Sequence, residues 1–314
     1  MTVFSRRLLA AVSAIAILPA LCSLSGCVSA SATTTTSTTT GNNTSTGYDA
    51  VYKATNWGSN VTATFPTTCT MTLKTTGVPA YHAAYYLAPV TGTGTVVATT
   101  PSGLKLGVIA YTSIANALGG SSTTYNICPS KAATTTATNM GSIGMMISGV
   151  AMFNAYEATG TVAVSDNVSY TFTDTSGNSQ TASFLDDCSG HSNGGASASA
   201  TWHYHAVPTC VTSLVDTATG PSHLIGIAMD GFPIYGGRDI NGAVIDVSKL
   251  DACNGITSAT PEFPDGKYHY VLPIGVTTKQ SSLGCYAGSV TVTQVAIAER
   301  AKCDMKNMKA TKGM

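Results

Sequence analysis

One stretch of this chain occurs twice. "IGMMISGVAMFNAYEATGTV", Ile143 to Val162, aligns without a gap on "IGIAMDGFPIYGGRDINGAV", Ile225 to Val244. The match pairs Phe153 with Tyr235, Glu157 with Asp239 and Gly160 with Gly242. Self-similarity of this kind marks a supersecondary unit used more than once. Asp230-Gly231 lies between "IGIAM" and "FPIYG", the signal of a tight hairpin turn, and Ser148-Gly149 holds the same place in the first copy. Pro233 then belongs on an edge strand, or where its missing N–H does no harm. Downstream, "DCSGH" from Asp187 precedes "WHYH", and "DACNG" from Asp251 precedes "YHYV". Each stretch closes with a cysteine, Cys210 in one and Cys285 in the other. We therefore read two units, 143–210 and 225–288, each a hairpin, a Cys-x-Gly turn and an aromatic-His-Tyr strand. An insertion carrying a strand from Val168 to Phe172 lengthens the first.

The rest of the body alternates as half-buried strands do. "CTMTLK" puts Cys69, Met71 and Leu73 on one face and threonines on the other; Val168, Tyr170 and Phe172 repeat the pattern, as do Val290 and Val292. Helical periodicity is confined to the segment from Val295 into the basic tail. The expectation is a mainly β, disulfide-stapled domain with an internal duplication, 143–299, preceded by a β region, 48–142, and followed by a tail, 300–314. The tail reads as a frayed terminus, although Cys303, Met305 and Met308 are soft donors of the kind that take Cu(I).

"DDCSGHSNGGASASATWHYHAVPTC", "IGIAMDGFPIYGG" and "LDACNGITSATPEFPDGKYHYV…GCYAG" together resemble the successive blocks of the YHYH proteins, a secreted family named for its tetrapeptide. The resemblance runs from about Ile143 to Gly288. Trp202 stands where the motif has its first tyrosine, and Val271 where a second histidine would complete the later unit. The family brings no established reaction with it, so the chemistry has to come from the residues.

At the other end, Arg6 and Arg7 precede an apolar run from Leu8 to Leu24, interrupted by Pro19, and "LSGC" ends at Cys27. Charge, a short apolar stretch and small residues before a cleavage point read as an export signal, 1–26, too short to span a bilayer comfortably. "LSGC" is similar to the bacterial lipobox, which implies a lipid on Cys27. Val28 after that cysteine favours the outer membrane. The export route, Sec or twin-arginine, is not fixed by two arginines. The Ser/Thr-rich segment 27–47 carries no charge and no aromatic residue, so it reads as a flexible tether.

Outside the cytoplasm cysteines pair. Equivalent cysteines in related units should make equivalent bonds, giving Cys188–Cys210 and Cys253–Cys285. Cys69–Cys128 follows by elimination and leaves Cys303 free. With a formal net charge of zero and 10% charged residues, there is no electrostatic case for nucleic acid. The expected partner is the membrane, through the lipid; protein partners leave no mark.

The histidines carry the chemistry. On a strand His203 and His205 share one face, about 7 Å apart, while Trp202 and Tyr204 take the other. His191 follows Cys188-Ser189-Gly190, and a Cys188–Cys210 bond would draw it to the same strand. Three imidazoles with the neighbouring carboxylate Asp187 suit a divalent transition metal, zinc or copper, rather than calcium. His269 matches His203 through the repeat and is a further ligand if it reaches across. His191 falls opposite Ile256 and His205 opposite Val271, so the metal is expected in the first unit only. His82, His223 and the Asp230 of the turn are read as packing and conformational residues. No nucleophile elbow, phosphate loop or HExxH run appears, and whether the chain is an enzyme stays open. The competing reading is a disulfide-stabilised structural or interaction module whose histidines only pack.

Overall fold

The computed structural model describes residues 46–115, 118–194 and 200–290. The expected signal peptide, Cys27, most of the tether, the segment from Val295 and the tail with Cys303 lie outside the described residues. Among the described residues no helix is long and apolar enough to cross a membrane.

Both repeated stretches form hairpins. β1 (Ser142–Met146) turns into β2 (Ala151–Phe153); further on come β3 (Gly190–Ser192) and β4 (Trp202–Tyr204). β5 (Leu224–Ala228) turns into β6 (Pro233–Tyr235), followed by β7 (Gly255–Ser258) and β8 (Lys267–Val271). They make one eight-stranded sheet in the order β3-β4-β2-β1-β5-β6-β8-β7. The two hairpins meet antiparallel at its centre, Ile227 opposite Met145. On each side the hairpin's second strand takes a parallel neighbour, β4 beside β2 and β8 beside β6. An antiparallel strand then finishes each edge, β3 on β4 and β7 on β8.

The hairpin turns are three residues long rather than two. Gly231 N–H donates to the Ala228 carbonyl (2.9 Å) and Ala228 N–H to the Phe232 carbonyl (2.9 Å), with Gly231 at φ +89°. Gly149, at φ +80°, makes the matching bond to the Met146 carbonyl. A type I turn closed by a left-handed glycine gives this loop. Pro233 sits inside the sheet, not at its edge, but as the first residue of β6, where a missing donor is tolerated.

Three smaller sheets complete the body. Val61–Thr67, Thr70–Thr75 and Ser121–Asn126 form one, with Met71 and Leu73 fully buried as alternation requires. The insertion strand, Ser169–Thr173, joins Ser179–Ser183, Tyr85–Pro89, Lys105–Ala110 and Ala98–Thr99 in a five-stranded sheet. Lys131–Ala137 pairs with Cys285–Gly288. The main apolar core draws side chains from Val51, Met71 and Tyr125 as well as Met146, Trp202, Ile227 and Tyr270, so part of the region 48–142 packs with the strands of the repeat, while Leu87, Leu106, Ala182 and Phe184 form a second cluster.

All three expected disulfides are present: Cys69–Cys128, Cys188–Cys210 and Cys253–Cys285. They span 59, 22 and 32 residues. In the chain-entropy picture each such loop contributes about 3–4 kcal/mol by restricting the unfolded chain.

Gly231 tests how tightly the second hairpin is fixed. A Cβ there would run into the Asn126 carbonyl oxygen, whereas at Gly103, φ +90°, it would meet nothing within 4 Å. Gly103→Ala should therefore cost only the left-handed strain, about 1–2 kcal/mol. Gly231→Ala should cost clearly more, read as a larger fall in denaturant midpoint; equal losses would show that the turn relaxes freely.

Candidate metal centre

The loop that aims His191 is built around a carboxylate. Asp186 Oδ1 accepts from the backbone N–H of Cys188 (2.9 Å) and of Gly190 (3.0 Å), and Asp186 N–H donates to the Gly190 carbonyl. Ser189 at the tip is left-handed, φ +59°. The Cys188–Cys210 bond ties this loop to the segment after β4. Gly190 is required because a Cβ would lie 2.7 Å from Trp202 Nε1 and 2.9 Å from the Tyr204 ring. Burial raises the Asp186 carboxyl above its ordinary range, against the backbone donors that lower it. The outcome is that His191 on β3 lies directly opposite His203 on β4.

His203 and His205 face the same way as expected, and Trp202 and Tyr204 are buried in the main core. All three histidines are almost wholly buried, between 1% and 3% exposed. Their Nε2 atoms converge: His191 to His205 is 3.2 Å and His203 to His205 is 3.0 Å. Their candidate ligand atoms all lie within 4.8 Å of one another, so the cluster is able to coordinate a divalent transition metal.

A carboxylate lies beside two of the three imidazoles. Glu157 Oε1 lies 3.0 Å from His191 Nε2 and 3.0 Å from His205 Nε2, yet in line for a hydrogen bond with neither. Its turn is held by Glu157 N–H to the Thr161 carbonyl and Gly160 N–H to the Glu157 carbonyl. Burial resists ionisation of Glu157, but His191 and His205 outweigh it and hold the carboxyl far below the usual carboxylate range.

The protons on the imidazoles are decided by their far nitrogens. His205 Nδ1 faces the Asn154 carbonyl at 2.7 Å and His203 Nδ1 the Thr201 carbonyl at 3.1 Å. A carbonyl oxygen only accepts, so both Nδ1 atoms carry the hydrogen, and both rings turn Nε2 towards the same spot. Burial, then His191 and His205, push His203 well below the ordinary histidine range, so that ring stays neutral. Two Nε2 atoms 3.0 Å apart need a cation between them, a proton or a metal ion. Donors around a metal at about 2.0–2.1 Å would sit roughly 3.3–3.4 Å apart, against 3.2 and 3.0 Å for the two contacts of His205 Nε2 and a spread of up to 4.8 Å over the three imidazoles.

The other expected site residues are elsewhere. Asp187 is exposed and lines a separate cavity with His82 and the Cys188–Cys210 bond. Its neighbour Asp186 takes the loop-capping role, and Glu157 stands where a carboxylate was expected. His269 lies on β8, beyond β2, β1, β5 and β6 from the cluster, and donates from Nδ1 to the Lys267 carbonyl. It packs against Tyr235 and does not reach across. His223 pairs with Glu262 (2.9 Å), a contact between side chains rather than plain packing. Asp230 is also more than a turn residue: its Oδ2 accepts from the Tyr270 hydroxyl (2.6 Å) and Gly288 N–H (2.8 Å).

A cleft of about 140 Å³ leads to the cluster, walled by Leu104, Met140, Phe153 and Phe184. Phe153 stacks on His203 with ring centroids 3.8 Å apart, and Phe184 meets His191 edge-on at 4.8 Å. Stacked rings fix the imidazole planes and keep bulk water from them.

No curated protein and no solved structure matches this chain. The model of a family described as YHYH protein matches residues 123–246 and 238–287, together more than half of the chain. Those segments contain Glu157, the three histidines and the cysteines of two disulfides, and the chain belongs to the YHYH protein family.

Proposed function

We propose that this chain is an exported cell-envelope lipoprotein whose YHYH domain binds zinc or copper through His191, His203, His205 and Glu157. One observation carries the reading: His203 and His205 are each fixed by a backbone carbonyl so that their Nε2 atoms point at one spot beside a carboxylate. Three imidazoles and one carboxylate are a donor set for a first-row transition metal, not the all-oxygen shell of calcium. Backbone carbonyls on Nδ1 are the usual outer partners of metal-bound histidine. Three disulfides support an address outside the cytoplasm. The lipid on Cys27, the tether and the outer-membrane location rest on the sequence.

The same reading includes a duplicated frame that kept its scaffold and lost its ligands in the second half. In support, Asp251 Oδ1 accepts from Cys253 and Gly255 N–H just as Asp186 does from Cys188 and Gly190. Asn254, φ +64°, matches Ser189, and Ile256 pairs with His269 where His191 pairs with His203. Asp186→Ala and Asp251→Ala should then both destabilise the fold, by about 1–3 kcal/mol for stranded backbone donors. Only Asp186→Ala should also weaken metal binding, measured by competition with a chelator. Equal metal affinity in the two variants would sever loop from site.

Titration of zinc or copper into chelator-treated protein should raise its melting temperature. At a free metal concentration of 100 times Kd, mass action adds about 2.7 kcal/mol. His203→Ala and His205→Ala should remove the effect, and Glu157→Gln should weaken binding by at least tenfold, the scale of lost supporting contacts in metal sites. His269→Ala should lower stability but keep the metal. Metal stabilisation that survives His203→Ala and His205→Ala would overturn the assignment.

Anchorage is tested separately. Cys27→Ser should leave an unprocessed, unacylated precursor in cells, seen as a larger band that takes up no labelled fatty acid. Identical processing of the variant would remove the lipoprotein reading and leave the metal reading standing.

A further inference from the structure

The cleft over the cluster is shaped for something more specific than water. Its walls are mostly aromatic and aliphatic, with Thr159, Ser192 and Asn193 as uncharged polar members, and among the described residues none that lines it is Lys or Arg. The Glu157 side chain is 15% exposed, against 4% for His191 and 1% for His205, so the approach from outside runs over the carboxylate edge of the cluster. Phe153 covers the face of His203 and Phe184 flanks His191, which closes the other directions.

A ligand entering here finds one cationic place for a lone pair, at the metal, and mostly apolar walls for the rest of its surface. A phosphate or other polyoxygen anion would leave oxygens desolvated without cationic partners, which is costly in such surroundings. Volume narrows the class further. An apolar cavity of roughly 150 Å³ accepts benzene, and this cleft is of about 140 Å³. A metal with four protein donors accepts a fifth when the ligand shell expands.

We propose that this site takes a small monocyclic molecule with a single lone-pair donor atom, seated between Phe153, Phe184, Leu104 and Met140. The inference rests on the metal reading above and adds the class of molecule that the metal meets. Leu104 reaches the cleft from the chain leading into Lys105–Ala110, and Phe184 from just beyond Ser179–Ser183. The five-stranded sheet that holds the insertion thus builds one wall of the site. That gives the insertion a task absent from the second half.

Cobalt-loaded full-length protein provides the test, because its visible spectrum responds to a fifth ligand. Metal content is measured first. Pyridine, neutral at pH 7.5 and with one donor atom, should then shift the spectrum in a saturable way, and inorganic phosphate at the same concentrations should not. Met140 is 39% exposed at the cleft, so Met140→Trp should fold, keep its cobalt and weaken pyridine binding at least tenfold. Leu104→Phe, a smaller plug on the opposite wall, should weaken it less and checks that the effect follows volume. Protein that takes up no cobalt overturns the metal reading and this inference with it. Protein that takes up cobalt but ignores pyridine, binds phosphate equally well, or binds pyridine unchanged in Met140→Trp overturns this inference alone.

Discussion

The carboxylate of Asp186 is the contact on which the site depends. By accepting the Cys188 and Gly190 N–H groups it folds the chain back tightly enough for β3 to lie on β4 in one register. Register decides everything that follows, because a slip of one residue would turn His191 to the opposite face of the sheet. The glycine between cysteine and histidine then has a plain reason. It is the only residue that clears Trp202 and Tyr204, whose rings lock the far side of β4 into the core. Aspartate, cysteine, glycine and histidine thus form one mechanical unit: a cap, a tie, a clearance and a ligand.

The loop around Asp251 has the same geometry with other side chains around it. Asp251, Cys253, Asn254 and Gly255 repeat the loop, with Tyr268 Oη donating to the other oxygen of Asp251. Tyr235 occupies the strand position of Phe153, and its hydroxyl donates to Glu262 instead of its ring stacking flat on an imidazole. Where the first half has His191 and His205, the second has Ile256 and Val271. Burial pulls His269 below the ordinary histidine range, so it stays a neutral, hydrogen-bonded core group. The lone imidazole makes no demand for a cation, because nothing opposes its lone pair.

Much of this was legible in the residues. Repeat matching pointed to both hairpins and to Cys188–Cys210 and Cys253–Cys285, and elimination to Cys69–Cys128. Parity along a strand put His203 and His205 on one face. What escaped was the carboxylate. Asp187 is adjacent to the Cys-x-Gly turn and was the natural choice, yet backbone donors in such a loop need the aspartate two residues before the cysteine, which is Asp186. Glu157 comes from a different hairpin, and only the parallel pairing of β2 with β4 brings it near. Pairing between strands some fifty residues apart (counted from Ala151 to His203) leaves no local trace. The repeat did carry a signal, since Glu157 and Asp239 are acidic at matched positions. The wall contributed by Leu104 and Phe184 is tertiary and has no sequence pattern of its own.

The parallel β2–β4 contact has a consequence for the order of assembly. Local pieces, the hairpins and the 22-residue disulfide loop, can close early because short loops lose little entropy. The distant pairing that adds Glu157 to the histidines belongs to the slow, non-local part of folding. The carboxylate and the imidazoles therefore come together only once this distant pairing has formed. Sulfur bridges and stacked rings hold these donors in place, so a cation bound there would be selected by their spacing more than by reshaping of the chain.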